Sequence, residues 1–139
     1  MVIPYLTIDN SKSNNKGLVV EGLRKVYKSK IVLMDFSISL KKGEVVSLLG
    51  PNGSGKTTAF NIIAGISKSD GGTVKLDGND ISNLPMYRRS ISGLGYLPQE
   101  SSIFKGLTVE KNIQAILELK IKDKRDRRRK LEELLGDFS

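Results

Sequence analysis

The sequence predicts a mixed α/β fold organised around a phosphate-binding loop. Three observations carry that expectation. Residues 50–57, GPNGSGKT, match the pattern G-x-x-x-x-G-K-[ST]. The loop lies between a continuous apolar run, EVVSLLG, and a segment with helical apolar spacing. Short period-two stretches surround that unit, as expected of antiparallel strands.

The elements follow in order. Residues 1–17 end in the polar stretch TIDNSKSNNKG and predict a disordered tail, with order beginning near Leu18. LVVEGLRKVY and IVLMDFSISL read as strands. In the second, Met34, Phe36, Ile38 and Leu40 alternate with Asp35, Ser37 and Ser39, which predicts one apolar face. KKGE is a turn. EVVSLLG has no alternation and predicts a strand buried on both faces. Residues 57–64 are expected to be helical, with Phe60, Ile63 and Ala64 on one side and Gly65 as C-terminal cap. GGTVKLDGNDI is a hairpin signal turning at Asp77-Gly78. Residues 84–90 predict a short helix with Pro85 near its first turn. GLGYLPQ predicts a strand ended by Pro98. Val109, Ile113, Ile116, Leu117 and Ile121 mark a helix face, with Thr108 as N-cap and Glu110 in the first turn. Leu131, Leu134 and Leu135 continue a helical pattern.

Composition bounds the function. At 139 residues, 38% hydrophobic and 27% charged, the chain suits one soluble globular domain. It has no cysteine, which excludes a disulfide framework and thiolate metal sites. It has no histidine, so that general base is missing too. Its apolar runs fall far short of the roughly 18 residues a membrane helix needs. The N-terminus lacks the basic and apolar regions of a signal peptide, so a cytoplasmic location is expected. Most of the +8 net charge sits in residues 120–130, KIKDKRDRRRK, with eight basic and two acidic residues. That run can be read as a surface for nucleic acid or anionic lipid. It also suits a solvated helix face, with Asp123 and Asp126 spaced to pair with Arg127, Arg129 and Lys130. The second reading is preferred, and no nucleic-acid partner is expected.

The loop's residue types have physical reasons. Gly53 and Gly55 permit backbone angles that aim successive N–H groups at phosphate oxygens. The following helix adds its N-terminal N–H groups and dipole. Lys56 supplies a point charge for the β- and γ-phosphates, and the Thr57 hydroxyl suits Mg²⁺. Thr58 adds a further donor. Gly50, Pro51, Asn52 and Ser54 complete the phosphate-binding set.

LLGPNGSGKTT resembles the Walker A form of ABC-type ATPases. The resemblance runs from about Leu18 to the end of the chain. Gln99, in GYLPQE and 43 residues after Lys56, stands where that family's glutamine helps hold Mg²⁺. Tyr27 stands where the family's aromatic residue stacks on adenine. The resemblance implies a P-loop NTPase fold with ATP and Mg²⁺ as cofactors. It implies an antiparallel β-subdomain, a strand–loop–helix and the start of a helical subdomain across residues 18–139. The stretch GYLPQESSIFKGLTVEKN is most similar to the ATPases of lipopolysaccharide exporters, and branched-chain amino-acid importer ATPases share much of it. A cytoplasmic subunit is thereby implied, peripheral on the inner membrane. It would form a homodimer beneath two membrane-embedded subunits, with Phe104 and Lys105 facing the membrane partner. The family's signature motif, Walker B carboxylates and switch histidine have no counterpart in these residues. The chain is therefore expected to be an N-terminal, truncated part with no catalytic residue of its own. It should bind nucleotide weakly or not at all and should not hydrolyse ATP. Alone, it is expected to aggregate or fold only in part, because the missing half would cover its apolar faces.

Overall fold

The computed structural model describes residues 5–8, 17–98 and 102–137. The chain divides into two compact units, one up to Gln99 and one from Glu100.

Among the described residues the first unit holds six strands and two helices. Strand β1 is Tyr5–Ile8, β2 is Gly17–Tyr27 and β3 is Lys30–Lys41. Helix α1 is Lys56–Ala64, β4 is Gly71–Leu76 and β5 is Asn79–Asp80. Helix α2 is Met86–Ile91 and β6 is Leu94–Leu97. Four strands form an antiparallel sheet in the order β3-β2-β4-β5, and β1 pairs antiparallel with β6. The tail expected over residues 1–17 is corrected at Tyr5–Ile8, where the backbone forms a strand that pairs with β6. The remainder of that stretch, up to residue 16, lies outside the described residues.

The core lies between the four-stranded sheet and α1. Leu18, Val20 and Leu23 of β2, Val74 and Leu76 of β4, and Ile62 and Ile63 of α1 are its centre. Each such side chain, fully buried, contributes about 1.5–3 kcal/mol. The expected alternation in β3 holds only in part. Phe36, Ile38 and Leu40 pack against the core, but Met34 is exposed and Leu33 is buried instead. The β2–β3 register slips between the pairs Leu23↔Phe36 and Lys25↔Leu33. A bulge of this kind flips the in-out phase of the strand.

The expected buried strand at EVVSLLG is absent. Residues 44–50 pair with no strand among those described, and Val45 and Leu49 are 92% and 82% exposed. A central strand exists only where neighbours supply a ladder on both sides, and apolar composition cannot replace them.

Other punctuation is as expected. Gly65 caps α1 in the left-handed conformation, its N–H donating to Ile62 O at 3.1 Å. Asp77 and Gly78 both have positive φ, 52° and 84°, as a two-residue type I′ hairpin requires. Pro85 stands just before α2 rather than inside it.

The second unit contains α3, Val109–Lys120, and α4, Lys124–Gly136. Thr108 caps α3 by accepting from Lys111 N at 3.3 Å. Leu117 and Leu131 are buried, whereas Val109 and Ile116 of the expected apolar face are exposed. Asp123 caps α4, accepting from the N–H groups of Arg125 and Asp126, instead of pairing with Arg127. Arg127 donates to the carbonyls of Ile121 and Lys122. Asp126 bridges Arg129, while Glu132 and Glu133 take Arg128 and Lys130. The basic run thus forms a helix surface laced by short-range ion pairs. No helix among the described residues is long and apolar enough to cross a membrane.

Candidate nucleotide site

The phosphate loop is tied to the sheet by what it lacks. Gly55 has φ 88° and precedes the first turn of α1. A Cβ built on it would stand 2.7 Å from Val32 O and 2.8 Å from Leu33 Cδ2. No side chain fits there, and few L residues adopt that φ. Gly53, with φ 81°, needs the same conformation but faces open space. The two left-handed glycines alternate with ordinary residues, which curls the backbone so that successive N–H groups share one side.

Lys56 organises the interior of the loop. Its Nζ donates to the carbonyls of Gly50 and Pro51, both at 2.6 Å, and to Ser54 Oγ at 3.2 Å. Ser54 N–H closes the turn onto Pro51 O at 3.3 Å. Asn52 sits exposed at the tip beside Gly53. Ala59 N–H accepts the role of first helical donor, to Gly55 O at 2.9 Å. Thr57 is exposed and Thr58 half-buried in that first turn. A cation at a helix N-terminus, here held by two carbonyls and a hydroxyl, suits a polyanion.

Tyr27 ends β2 and is 47% exposed. Its neighbour Val26 pairs with Ile31, and Val32 backs Gly55, so Tyr27 and the loop lie toward the same end of the β2–β3 hairpin. Gln99 lies outside the described residues. Phe104 is 59% exposed, and Lys105 is exposed beside it, both in the second unit. Among the described residues no group of three or more His, Cys, Asp or Glu is placed to hold a metal.

Pattern reading passed over three side chains, one in the second unit and two in the first. Asn112 folds the 104–108 loop onto α3. Its Oδ1 accepts from Phe104 N–H at 2.8 Å, and its Nδ2 lies within 3.0–3.2 Å of the carbonyls of Phe104, Leu107 and Thr108. An amide in the first helical turn, four residues after a threonine cap, was the available signal. Asp70 accepts from Val26 N–H at 2.7 Å and from Lys25 Nζ at 3.0 Å. These bonds, the backbone one first, hold its carboxyl below the ordinary aspartate value. Arg89 is buried, at 2% exposure. It donates to the carbonyls of Ile62, Ile63, Ser82 and Leu84 at 2.7–2.8 Å, joining the end of α1 to α2. Burial pushes its guanidinium below the ordinary arginine value, with the Asp80 carboxylate working against that. No periodicity marks a buried arginine in advance.

Comparison with known proteins agrees with this geometry. The ABC transporter family model matches residues 33–139. An uncharacterized ABC transporter ATP-binding protein of Rhizobium meliloti is 51% identical over 122 residues, covering 88% of this chain and 45% of the relative. The lipopolysaccharide export system ATP-binding protein of Haemophilus influenzae is 48% identical, covering 88% and 51%. Its Escherichia coli K12 counterpart is 47% identical, covering 74% and 43%. The chain therefore spans about half the length of the curated relatives it matches. Among solved structures, an ATP-binding cassette described as a dimeric post-hydrolysis state with ADP and Pi superposes with a TM-score of 0.68. It is 26% identical and covers 86% of this chain and 56% of that one. A glycine loop seated against β3, opening into α1 within a match that spans most of the sequence, leaves one conclusion: the chain belongs to the ABC transporter family.

Proposed function

We propose that this chain supplies the nucleotide-binding part of an ABC transporter ATPase that drives lipopolysaccharide export. The observation that carries the nucleotide reading is the loop: two left-handed glycines, a helix N-terminus, and Lys56 Nζ held among the Gly50 and Pro51 carbonyls. The lipopolysaccharide assignment is supported by relatives of that name at 47–48% identity.

In this reading residues 50–55, Pro51 excepted, turn backbone N–H groups toward the phosphates. Lys56 leaves its carbonyl partners for the β- and γ-phosphates, an exchange favoured because an anion outcompetes neutral oxygens for an ammonium. Thr58 adds a donor, and Tyr27 offers its exposed ring to adenine. The hard hydroxyl oxygen of Thr57 and the amide oxygen of Gln99 would hold Mg²⁺ beside the phosphates. The ion's chemistry would be to draw charge from the transferring phosphoryl group. Phosphoryl transfer also needs a placed water and a group to orient it. None of the described side chains at the loop is a carboxylate or imidazole suited to that. On this reading the loop residues by themselves bind nucleotide without turning it over. A second ATPase subunit would complete the site, with Phe104 and Lys105 meeting the membrane subunits. The dimeric description of the structural neighbour supports the pairing of ATPase subunits.

Calorimetric titration with ATP tests the loop. Lys56→Ala should weaken binding at least tenfold, since it removes a charge-assisted contact of about 1.5–3 kcal/mol. Both proteins should release no phosphate above background. Steady-state hydrolysis by the purified chain, abolished by Lys56→Ala, would refute the absence of turnover. Co-purification with the membrane subunits of a lipopolysaccharide exporter checks the substrate. Capture by those of a branched-chain amino-acid importer would overturn it.

A further inference from the structure

We propose that Asp70, acting through Lys25, is a positioning residue that orients Tyr27 for a purine base. This rests on the reading of Tyr27 as the adenine platform.

The pairing of β2 with β4 ends at Arg24↔Gly71. Lys25, Val26 and Tyr27 run on beyond that last pair, still paired with β3 on one side but with no β4 partner on the other. Asp70 takes over from the missing ladder. Its N–H donates to Arg24 O at 2.8 Å, and its Oδ2 accepts from Val26 N–H at 2.7 Å. One residue thereby fixes the backbone on both sides of Lys25 and up to the residue before Tyr27. Its Oδ1 then takes Lys25 Nζ at 3.0 Å, with the lysine side chain only 14% exposed. That ammonium stands 5.2 Å from the centroid of the Tyr27 ring.

The consequence for Tyr27 is specific. Its backbone is anchored through Val26 and one ring face is covered by a cation, while about half of the residue stays exposed. A planar ligand is left the opposite face. The ammonium also draws ring electron density toward itself, which eases the repulsion between the phenol π-cloud and that of a stacked purine. A ring already held in place loses less freedom when a base lands on it. The depressed proton affinity of Asp70 keeps its carboxylate charged for this task.

The test compares Kd for ATP with Kd for inorganic tripolyphosphate, which has the phosphates and no base. The unmodified chain should prefer ATP. Tyr27→Ala should reduce that preference about tenfold, as stacking contributes about 1–3 kcal/mol per base. Asp70→Ala and Lys25→Met should each reduce it about threefold, leave tripolyphosphate binding unchanged, and so behave unlike a general loss of structure. Lys25→Arg, which keeps a cation over the ring, should restore most of the preference. If Tyr27→Ala removes the preference but Asp70→Ala and Lys25→Met leave it intact, the positioning role is overturned and the platform survives. If Tyr27→Ala changes nothing, or the unmodified chain binds neither ligand, the platform falls and the positioning role with it. Should Asp70→Ala lose tripolyphosphate binding as well, Lys25→Met decides, because it spares the bond to Val26 N–H.

Discussion

Replacing Arg89 should separate its hydrogen bonding from the cost of burying its charge. Four carbonyls receive its N–H groups. Ile62 O also accepts from Gly65 N–H, so it remains bonded without the arginine. The carbonyls of Ile63, Ser82 and Leu84 lose that donor. At about 1 kcal/mol each, the loss comes to about 3 kcal/mol. Relief of the buried charge offsets part of it. Arg89→Met, which keeps the aliphatic stem, should therefore destabilise by about 2 kcal/mol. Arg89→Ala also empties the space of the stem and should reach about 3–4 kcal/mol. An ammonium cannot span four carbonyls, so Arg89→Lys should lie near 1 kcal/mol. Urea unfolding followed by circular dichroism reads these as midpoint shifts at constant m. An Arg89→Met protein as stable as the original would show that desolvation cancels the hydrogen bonds.

Two further outcomes follow from bonds already described. Glu21, Asp70 and Asp80 are each held below their ordinary carboxyl values, by Lys75, by Val26 N–H and by Ser82 respectively. The folded chain therefore binds those protons less readily than the unfolded chain. Their stabilisation is whole above the ordinary range near pH 4 and lost as pH falls through the depressed values. An acid titration of the unfolding midpoint should show this, and it should flatten in Asp70→Asn. Asn112→Ala removes the clamp on the 104–108 loop. Amide exchange of Phe104 should accelerate at least tenfold while that of Leu117 changes little, read by hydrogen–deuterium exchange.

Features in which one residue type answers one backbone demand were legible in advance. Gly53, Gly55, Gly65 and the Asp77-Gly78 turn each supply a positive φ where the chain needs it. The Thr108 cap belongs to the same class. Features set by partners distant in sequence were not. Residues 44–50 have a strand's composition and no ladder. Met34 and Leu33 exchange places because β2 and β3 slip in register, a property of two strands together. Arg89 and Asp70 act across 27 and 44 residues, beyond the reach of any local pattern. Asp123 was read as an ion-pair partner and serves as a cap, since two nearby N–H groups offer a shorter reach than a long arginine.

The closeness of Gly55 to Leu33 makes the loop a gauge of the core. Leu33 belongs to the buried cluster, and its Cδ2 bounds the space where a Gly55 side chain would have to go. The height of the loop above the sheet is thus set by a leucine that no nucleotide need touch. Trimming Leu33 would open room beneath Gly55, and enlarging it would press on the loop, which also rests on Val32 O. Binding and folding stability are accordingly geared together at this point. A substitution at residue 33 should therefore be felt at the loop as well as in the core.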